Sequence, residues 1–288
     1  MQAESTIIKL TNLSAYEINA PLKKALEDLE WRLQANQFLE LFAQVEGKTI
    51  IGIGMSWLNA FHPHAKYIRI ASTNGFHLLL AKLLQTISPQ EQFIYSCWSN
   101  DTTTLQHLQN SNFHLFRQTY METYFVNELL TKMTALPSFD TLLSLEEVLQ
   151  HPKLEESLFQ LVKHNYESTH LHNPVNELSW QMWKEVLLDD APDLQLSYIV
   201  LAKNEVVAYV FLHPSSATVY DVGWVGTRGD FDLHSILKEQ LHKLKEKGIL
   251  EVAFEVDTTD FHAWKFATLL ELKEKTSWNS YQYKPNLK

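Results

Sequence analysis

Hydrophobic and polar positions follow their clearest pattern between residues 219 and 283. Residues 219–225 form an apolar run of β-branched and aromatic side chains, which predicts a buried strand. Residues 250–256 alternate between apolar and polar positions, which predicts a second strand. Between them, five apolar residues at helical spacing predict a helix: Leu233, Ile236, Leu237, Leu241 and Leu244. This compact order predicts a right-handed crossover between two parallel strands.

The same order of elements recurs in the first half of the chain. A hairpin over 38–58, a strand at 67–71, a helix over 75–87 and a strand at 93–98 are predicted there. In the second half, a helix over 260–271 and a last strand over 276–283 are predicted to complete the unit. A repeat of this length is typical of duplicated domains.

The repeat predicts three segments. An N-terminal domain covers 1–128, a linker around Pro137 covers 129–144, and a C-terminal domain covers 145–288. A long helix over 20–34 is predicted near the start of the first domain.

Composition and charge narrow the class of protein. The chain has 288 residues, of which 45% are hydrophobic, so it can bury a large core. Its net charge of −10 argues against nucleic acid or an anionic membrane as a partner. Cys97 is the only cysteine, which excludes an intramolecular disulfide and suits a reducing compartment. The polar, acidic start is unlike a signal peptide, and no run approaches a membrane span, so a cytoplasmic location is expected.

The turn after the 219–225 strand has the features of an anion site. It lies at the carboxyl end of a parallel strand, just before a helix whose first N–H groups lack intrahelical partners. Gly226 and Gly229 allow close backbone approach, and Arg228 adds a positive charge. Asp230 and Asp232 act against an anion there, by ~0.3–1 kcal/mol each.

A strand, this turn and a helix, set in each half after a hairpin, resemble the GNAT family of acyl-CoA-dependent N-acetyltransferases. The doubled layout is similar to tandem GNAT proteins along nearly the whole chain. The resemblance implies an α/β fold with mixed sheets, made of two tandem GNAT-like acyl-CoA N-acyltransferase domains. It also implies acetyl-CoA as cosubstrate and no metal.

The resemblance implies a set of cofactor-binding residues in the C-terminal copy. In the family, amides of an Arg/Gln-x-x-Gly-x-Gly/Ala turn bind the diphosphate, and an Asn-x-x-Ala helix flanks the pantetheine. The matching residues here are Val225, Gly226, Thr227, Arg228, Gly229, Asp230, Phe231, Asp260 and Ala263. The first copy offers only residues 72–76, so we expect the CoA site in the C-terminal copy and a degenerate site in the first.

Direct transfer to an amine needs a general base, because amines are mostly protonated near neutral pH. Glu255 and Asp221 lie on the two strands expected to converge near the thioester, and they are the candidate bases. Backbone N–H groups of 222–225 are expected to polarise the thioester carbonyl. The family's usual general-acid tyrosine is replaced by Ala267 in one copy and Leu108 in the other.

The loop over 166–174 resembles the substrate side of tandem GNAT proteins. Tyr166, His170 and His172 are therefore candidate substrate residues, with a small-molecule or peptide amine as the acceptor. Two alternatives stay open: a non-catalytic CoA-binding or protein-interaction module, and a metal hydrolase that uses the pairs His62/His64 and His170/His172. The oligomeric state is not determined by the sequence.

Overall fold

The computed structural model describes residues 5–133 and 141–285. The strands are β1 Thr6–Lys9, β2 Glu17–Ile18, β3 Glu40–Glu46, β4 Thr49–Leu58, β5 Lys66–Ser72, β6 Phe93–Trp98, β7 His114–Phe125, β8 Thr141–Ser144, β9 Tyr198–Ala202, β10 Glu205–Pro214, β11 Val219–Thr227, β12 Glu251–Asp257 and β13 Trp278–Tyr283. The α-helices are α1 Ala20–Ala25, α2 Glu30–Gln34, α3 Phe76–Leu84, α4 Thr102–Asn110, α5 Val126–Lys132, α6 Leu145–Leu149, α7 Pro152–Thr169, α8 Trp180–Asp189 and α9 Leu233–Glu246.

Contacts group these elements into two compact units. The first unit contains Met1–Phe116, His172–Asn176 and Asn279–Lys288, and the second contains Arg117–Leu171 and Glu177–Trp278. In the first unit the strand order is β1-β3-β4-β5-β6-β13, with β2 beside β4. In the second unit the order is β7-β12-β11-β10-β9-β8. Each unit therefore contains both parallel and antiparallel strand pairs.

The predicted crossovers are confirmed in both units. β5 pairs in parallel with β6, and β11 pairs in parallel with β12. Helix α9 connects the second pair and buries the predicted apolar stripe completely, with Leu233, Ile236, Leu237, Leu241 and Leu244 at 0% exposure. Burial of each such side chain stabilises the fold by about 1.5–3 kcal/mol. Helix α3 connects the first pair and buries Leu79, Leu80 and Leu83.

Two predicted helices are wrong in their extent. The helix over 20–34 is interrupted by a 3-10 turn at Glu27–Leu29, between α1 and α2. The helix over 260–271 is absent: the segment forms short turns, including a 3-10 helix at Ala263–Phe266. Leu270 and Leu272 are both fully buried.

The last strand does not complete the second unit. Contacts assign Asn279–Lys288 to the first unit. In the second unit, the outer edge of β12 is paired with β7 over its whole length, from Glu251↔Phe125 to Asp257↔Thr119. The reason is that an earlier strand already fills the position expected for the last one.

The linker region contains regular structure at both ends. The segment 129–144 includes the end of α5 and all of β8. Residues 134–140, with Pro137, lie outside the described residues. The predicted domains 1–128 and 145–288 would be two copies of a duplicated sequence. The units described above are defined by contacts and do not test duplication, so the predicted domains stay a prediction.

None of the helices in the described parts of the chain combines the length and apolar character needed to cross a bilayer.

Candidate functional site

The parallel strands of the first unit separate before they end. Their last paired residues are Ile68 of β5 and Tyr95 of β6. Beyond this point β5 continues to Ser72 along β4, and β6 continues to Trp98. We call this opening the first fork.

A cavity of about 420 Å³ lies in the first fork. Its walls come from both strands beyond their last pair and from the first turns of α3 and α4. It is lined by Ala25, Arg69, Ile70, Ala71, Ser72, Thr73, Asn74, Phe76, Tyr95, Cys97, Asp101, Thr103, Thr104 and His107. A cavity of this size accommodates a small-molecule group.

The turn at the mouth of this cavity leaves several backbone donors available. The amide of Gly75 donates to Ser72 Oγ at 2.7 Å, and Thr73 donates to the carbonyl of Ile51 at 3.3 Å. The amides of Asn74, Phe76 and His77 donate to no acceptor among the described residues. Helix α3 has no side-chain cap, so the positive end of its dipole faces this mouth.

The ionisable groups inside the first fork are poor nucleophiles. Burial raises the pKa of the Cys97 thiol to about 12, and Asp101 adds to the shift while Arg69 opposes it. Burial also raises the pKa of Tyr95, whose hydroxyl donates to the Ile70 carbonyl at 3.2 Å. Cys97 therefore stays a thiol near neutral pH, and the cavity suits binding better than covalent chemistry.

The second unit has an equivalent opening between β11 and β12. Their last paired residues are Val222 and Phe254, after which β11 continues to Thr227 and β12 to Asp257. We call this opening the second fork. It lies beside the 226–232 turn.

Two amides of the second fork already donate to acceptors within the protein. Thr227 N–H donates to Nδ1 of His262 at 3.2 Å, and Arg228 N–H donates to the Val207 carbonyl at 2.7 Å. The expectation of unpaired amides around Arg228 is therefore wrong for these two groups. The reason is that a turn after β12 brings a side-chain acceptor into the fork.

The amino end of α9 is also occupied. Asp232 caps the helix and accepts from the His234 amide at 3.0 Å. Lys265 donates to the Phe231 carbonyl at 2.7 Å. Arg228 lies 3.6 Å from Glu205, and both side chains are exposed. The carboxylate of Asp232 therefore takes the position that an anion would need.

The interior beside Gly226 is filled by protein. A Cβ at this position would lie 2.3 Å from Asn165 Nδ2 and 2.4 Å from Tyr209 Oη. Both side chains are buried, and burial raises the pKa of Tyr209. Asn165, Tyr209 and His262 are site residues that the sequence analysis missed. Only the Asp260–Ala263 motif pointed near one of them.

His262 and Asp260 have strongly shifted proton affinities. Burial, together with the positive charge of Lys265 and the proximity of His164, lowers the pKa of His262 to about 4. Burial raises the pKa of Asp260 to about 6, against its hydrogen bonds from the amides of Ala263 and His262. At neutral pH the histidine is uncharged and the aspartate is largely ionised.

Strand β11 carries a bulge near its fork. Leu212 pairs with Val222 and Val210 pairs with Val225, so Gly223 and Trp224 face one residue of β10. A bulge of this kind withdraws a residue from the ladder and redirects its amide. By contrast, β5 pairs with β4 without a shift over its whole length.

Comparison with known proteins identifies the fold. No protein-family model matches the sequence, and no curated protein matches it. The chain is similar to a solved GCN5-related N-acetyltransferase from Sphaerobacter thermophilus, with a TM-score of 0.57 and 13% sequence identity. The match covers 98% of this chain and 97% of that chain. A tandem GNAT protein from the clavulanic acid biosynthesis pathway, solved without AcCoA, has a TM-score of 0.51 at 10% identity, with 98% of both chains covered.

The chain has the tandem GNAT fold. The resemblance drawn from the sequence is thereby confirmed at the level of fold. In this fold, the first fork contains the cavity of about 420 Å³. In the second fork, the buried ring of His262 accepts from the Thr227 amide.

The two candidate bases lie on one face of the second GNAT unit. Asp221 of β11 is paired with Ala253 of β12, so their side chains point to the same face. Glu255 lies two residues beyond Ala253 on β12 and points to that face too. The side chain of Glu255 is exposed overall. Its pKa is nevertheless raised, by desolvation of the carboxylate and by the negative charge of Asp257, while the positive charge of Arg117 acts in the opposite direction. A raised pKa suits a general base working near neutral pH.

The three candidate substrate residues do not fall in one unit. In the second unit, Tyr166 stacks on His170 at 3.8 Å between ring centroids and contacts Trp183 and Trp224. His172 belongs to the first unit, where it stacks on Phe116 at 4.7 Å. The chain crosses between units within this loop, which its sequence gave no reason to expect.

The histidine pairs have structural partners. His62 Nδ1 lies 2.7 Å from the Asn173 carbonyl, and His170 Nδ1 lies 2.9 Å from the Tyr166 carbonyl. Within residues 5–133 and 141–285, no group of three or more His, Cys, Asp or Glu side chains is arranged to hold a metal ion.

Proposed function

We propose that this protein binds acetyl-CoA and transfers its acetyl group to a primary amine. The observation that carries this proposal is the cavity of about 420 Å³ in the first fork, at the position where the GNAT resemblance implies a pantetheine. The proposal moves the docking site in the resting protein to the first unit. The sequence alone favoured the second.

Diphosphate binding is supported at the mouth of the first fork. The amides of Asn74, Phe76 and His77 are available there, and the dipole of α3 adds positive potential. Together these donors form the kind of anion site found at helix amino ends. Thr103 and His107 on α4 border the same cavity, so the arm of the ligand would pass between α3 and α4.

The transfer chemistry is better supported in the second fork. The bulge at Gly223 and Trp224 redirects a backbone amide that could polarise a thioester carbonyl. Glu255, with Asp221 as the alternative, would take a proton from the acceptor amine, directly or through water. The amine nitrogen attacks the carbonyl carbon, the carbon–sulfur bond breaks, and the leaving thiolate takes up a proton. This reaction requires acetyl-CoA to enter the second fork, so the second fork must open.

The acceptor we propose is a cationic amine, either a small molecule or a peptide. His213 lies over Gly223 and 3.5 Å from Asp190, whose carboxylate also accepts from Trp224 Nε1 at 3.0 Å. With Asp221 paired opposite His213, this face presents carboxylates beside aromatic rings. Such a surface attracts an ammonium group.

A second candidate function is acyl-CoA binding without catalysis. Leu108 and Ala267, both buried, occupy the positions of the family's general-acid tyrosine. Without that acid, the open fork can hold a ligand and lack the chemistry to use it. This reading corresponds to a sensor or an interaction module.

Calorimetry and a thiol-release assay test the proposal in sequence. Acetyl-CoA should bind, and a panel of amines should then release free CoA thiol. Glu255→Gln is expected to slow release by about 10²–10⁴-fold while leaving acetyl-CoA affinity unchanged. Glu251→Gln, on the same strand and face, is the matched control. Absence of binding at millimolar acetyl-CoA would exclude both functions, and binding without thiol release would favour the sensor.

A further inference from the structure

His262 ties the two arms of the second fork together. The residue lies just beyond β12, and its ring Nδ1 accepts the Thr227 amide of β11 at 3.2 Å. The Thr227 hydroxyl lies equally close to Nδ1, but it donates to the Gly229 carbonyl at 2.8 Å. The ring is 2% exposed, so it occupies the interior of the fork.

The hydrogen bond fixes the form of the ring. An amide N–H can only donate, so Nδ1 must be unprotonated and the proton of the neutral ring must be on Nε2. Nε2 is buried and has no hydrogen-bond partner among the described residues. A buried donor that lacks an acceptor is destabilising. The closed arrangement therefore carries a penalty that an open arrangement would relieve.

Asp260 aims the ring into the fork. Its carboxylate accepts from the amides of His262 at 2.8 Å and Ala263 at 3.1 Å. These bonds hold the turn that follows β12. The side chain at position 262 is consequently directed towards Thr227 rather than towards solvent.

The equivalent position in the first unit holds a smaller residue. Thr103 follows Tyr95, the last paired residue of β6, by the same number of residues that separates His262 from Phe254. Asp101 occupies the place of Asp260 and likewise caps the next turn, with Thr104 N–H at 3.1 Å. Thr103 is exposed and lines the open cavity. The two forks thus differ at this matched position, which holds a buried histidine in the second fork and an exposed threonine in the first.

We propose that His262 is a latch on a second, latent acyl-CoA site, and that its release opens the second fork. The inference rests on the proposed function, since it assumes that the first fork takes the same ligand. In the closed state Nδ1 supplies the acceptor for Thr227 N–H. In the open state a carbonyl of the pantetheine arm, which is an amide acceptor of the same kind, would replace it.

The test counts acetyl-CoA sites by calorimetry. Wild-type protein should bind one equivalent, and His262→Thr, which copies the residue of the first fork, should bind two. His242→Thr, an exposed histidine on α9, is the matched control and should bind one. Should the threonine variant not fold, His262→Ser carries the same expectation.

A ligand-free measurement separates the latch from the proposed function. Hydrogen exchange of the Thr227 amide should be at least about tenfold faster in His262→Thr than in wild-type, because its acceptor is gone. A site count that does not rise in His262→Thr overturns the latch. If wild-type binds none and His262→Thr binds one, the latch stands while the first fork loses its role.

Discussion

The two forks share one backbone plan and differ in what fills it. In both, a parallel strand pair ends early, an aspartate caps the turn beyond the second strand, and a helix begins beyond the first. The first fork has an uncapped helix and an open cavity. The second has a capped helix and a histidine in its interior. The open cavity therefore lies in the first unit, whereas the candidate bases lie in the second.

The two units differ in opposite ways. The first keeps an anion-binding mouth, while β5 lacks the bulge. The second has the bulge and the carboxylates of Asp221 and Glu255, while its Thr227 and Arg228 amides donate to acceptors within the protein. A duplicated fold lets each copy lose a function that the other retains, and the site must then be argued residue by residue.

Blocking the first fork should give the largest effect. Thr103→Trp places a bulky side chain in the cavity, and acetyl-CoA affinity should fall by at least about a hundredfold through steric exclusion. Thr102→Trp is the matched control, because Thr102 is next to Thr103 in the chain, and its exposed side chain does not line the cavity. Calorimetry measures both. Equal affinities for the two variants would mean that the ligand does not enter the first fork.

Filling the space beside Gly226 should destabilise the second unit. Gly226→Ala introduces a Cβ within 2.4 Å of Tyr209 and Asn165, and the free energy of unfolding should fall by about 1–3 kcal/mol. The double variant with Asn165→Ala should lose less than the sum of the single variants, because the obstructing group is removed. Urea denaturation measures this. Simple additivity would show that the packing around Gly226 is loose.

Charge at the mouth of the first fork should have a moderate effect. Asn74→Asp preserves shape and adds a negative charge beside the free amides, so acetyl-CoA affinity should fall about three- to tenfold at low salt. Asn112→Asp makes the same charge change at an exposed turn residue after α4 and should have no effect. The difference should shrink as salt is raised. Identical losses in both variants would point to overall charge instead of a local diphosphate site.

The smallest effect concerns pH and the pair His262 and Asp260. The pKa of His262 is lowered from 6.5 to about 4, so the unfolded chain binds the extra proton and stability rises with pH across this window. The pKa of Asp260 is raised from 3.8 to about 6, so the folded chain binds the extra proton and stability falls as pH rises there. The two trends oppose each other in wild-type protein.

Removing the histidine should expose the aspartate's trend. Between pH 4 and 6, His262→Thr should lose stability with rising pH more steeply than wild-type, in thermal melts across that range. His242→Thr should follow the wild-type profile. A shallower slope in His262→Thr would show that Asp260 is not desolvated as the closed fork requires.

The sequence predicted the scaffold well because the scaffold depends on local patterns. The α9 stripe and the alternation of β12 were enough to predict the parallel crossover, and Asp101 as a helix cap is an interaction between near neighbours. The fork itself followed from the family resemblance. These features require only spacing and residue type.

The state of each fork depends on contacts that spacing does not encode. His262 reaches Thr227 from the 260–271 segment, which forms short turns instead of the predicted helix. Asn165 meets Gly226 only through the packing of α7 on β11. The pairing of β12 with β7, instead of with the predicted last strand β13, likewise depends on contacts between residues far apart in the sequence. Sequence reasoning therefore did not predict that His262 lies inside the second fork.

The most direct test compares two backbone amides in one titration. In NMR spectra of the labelled full-length protein, acetyl-CoA should shift the amide resonance of His77 at the mouth of the first fork and leave that of Thr227 in place. A shift at Thr227 with no change at His77 would contradict the account, because the ligand would then occupy the fork that His262 closes.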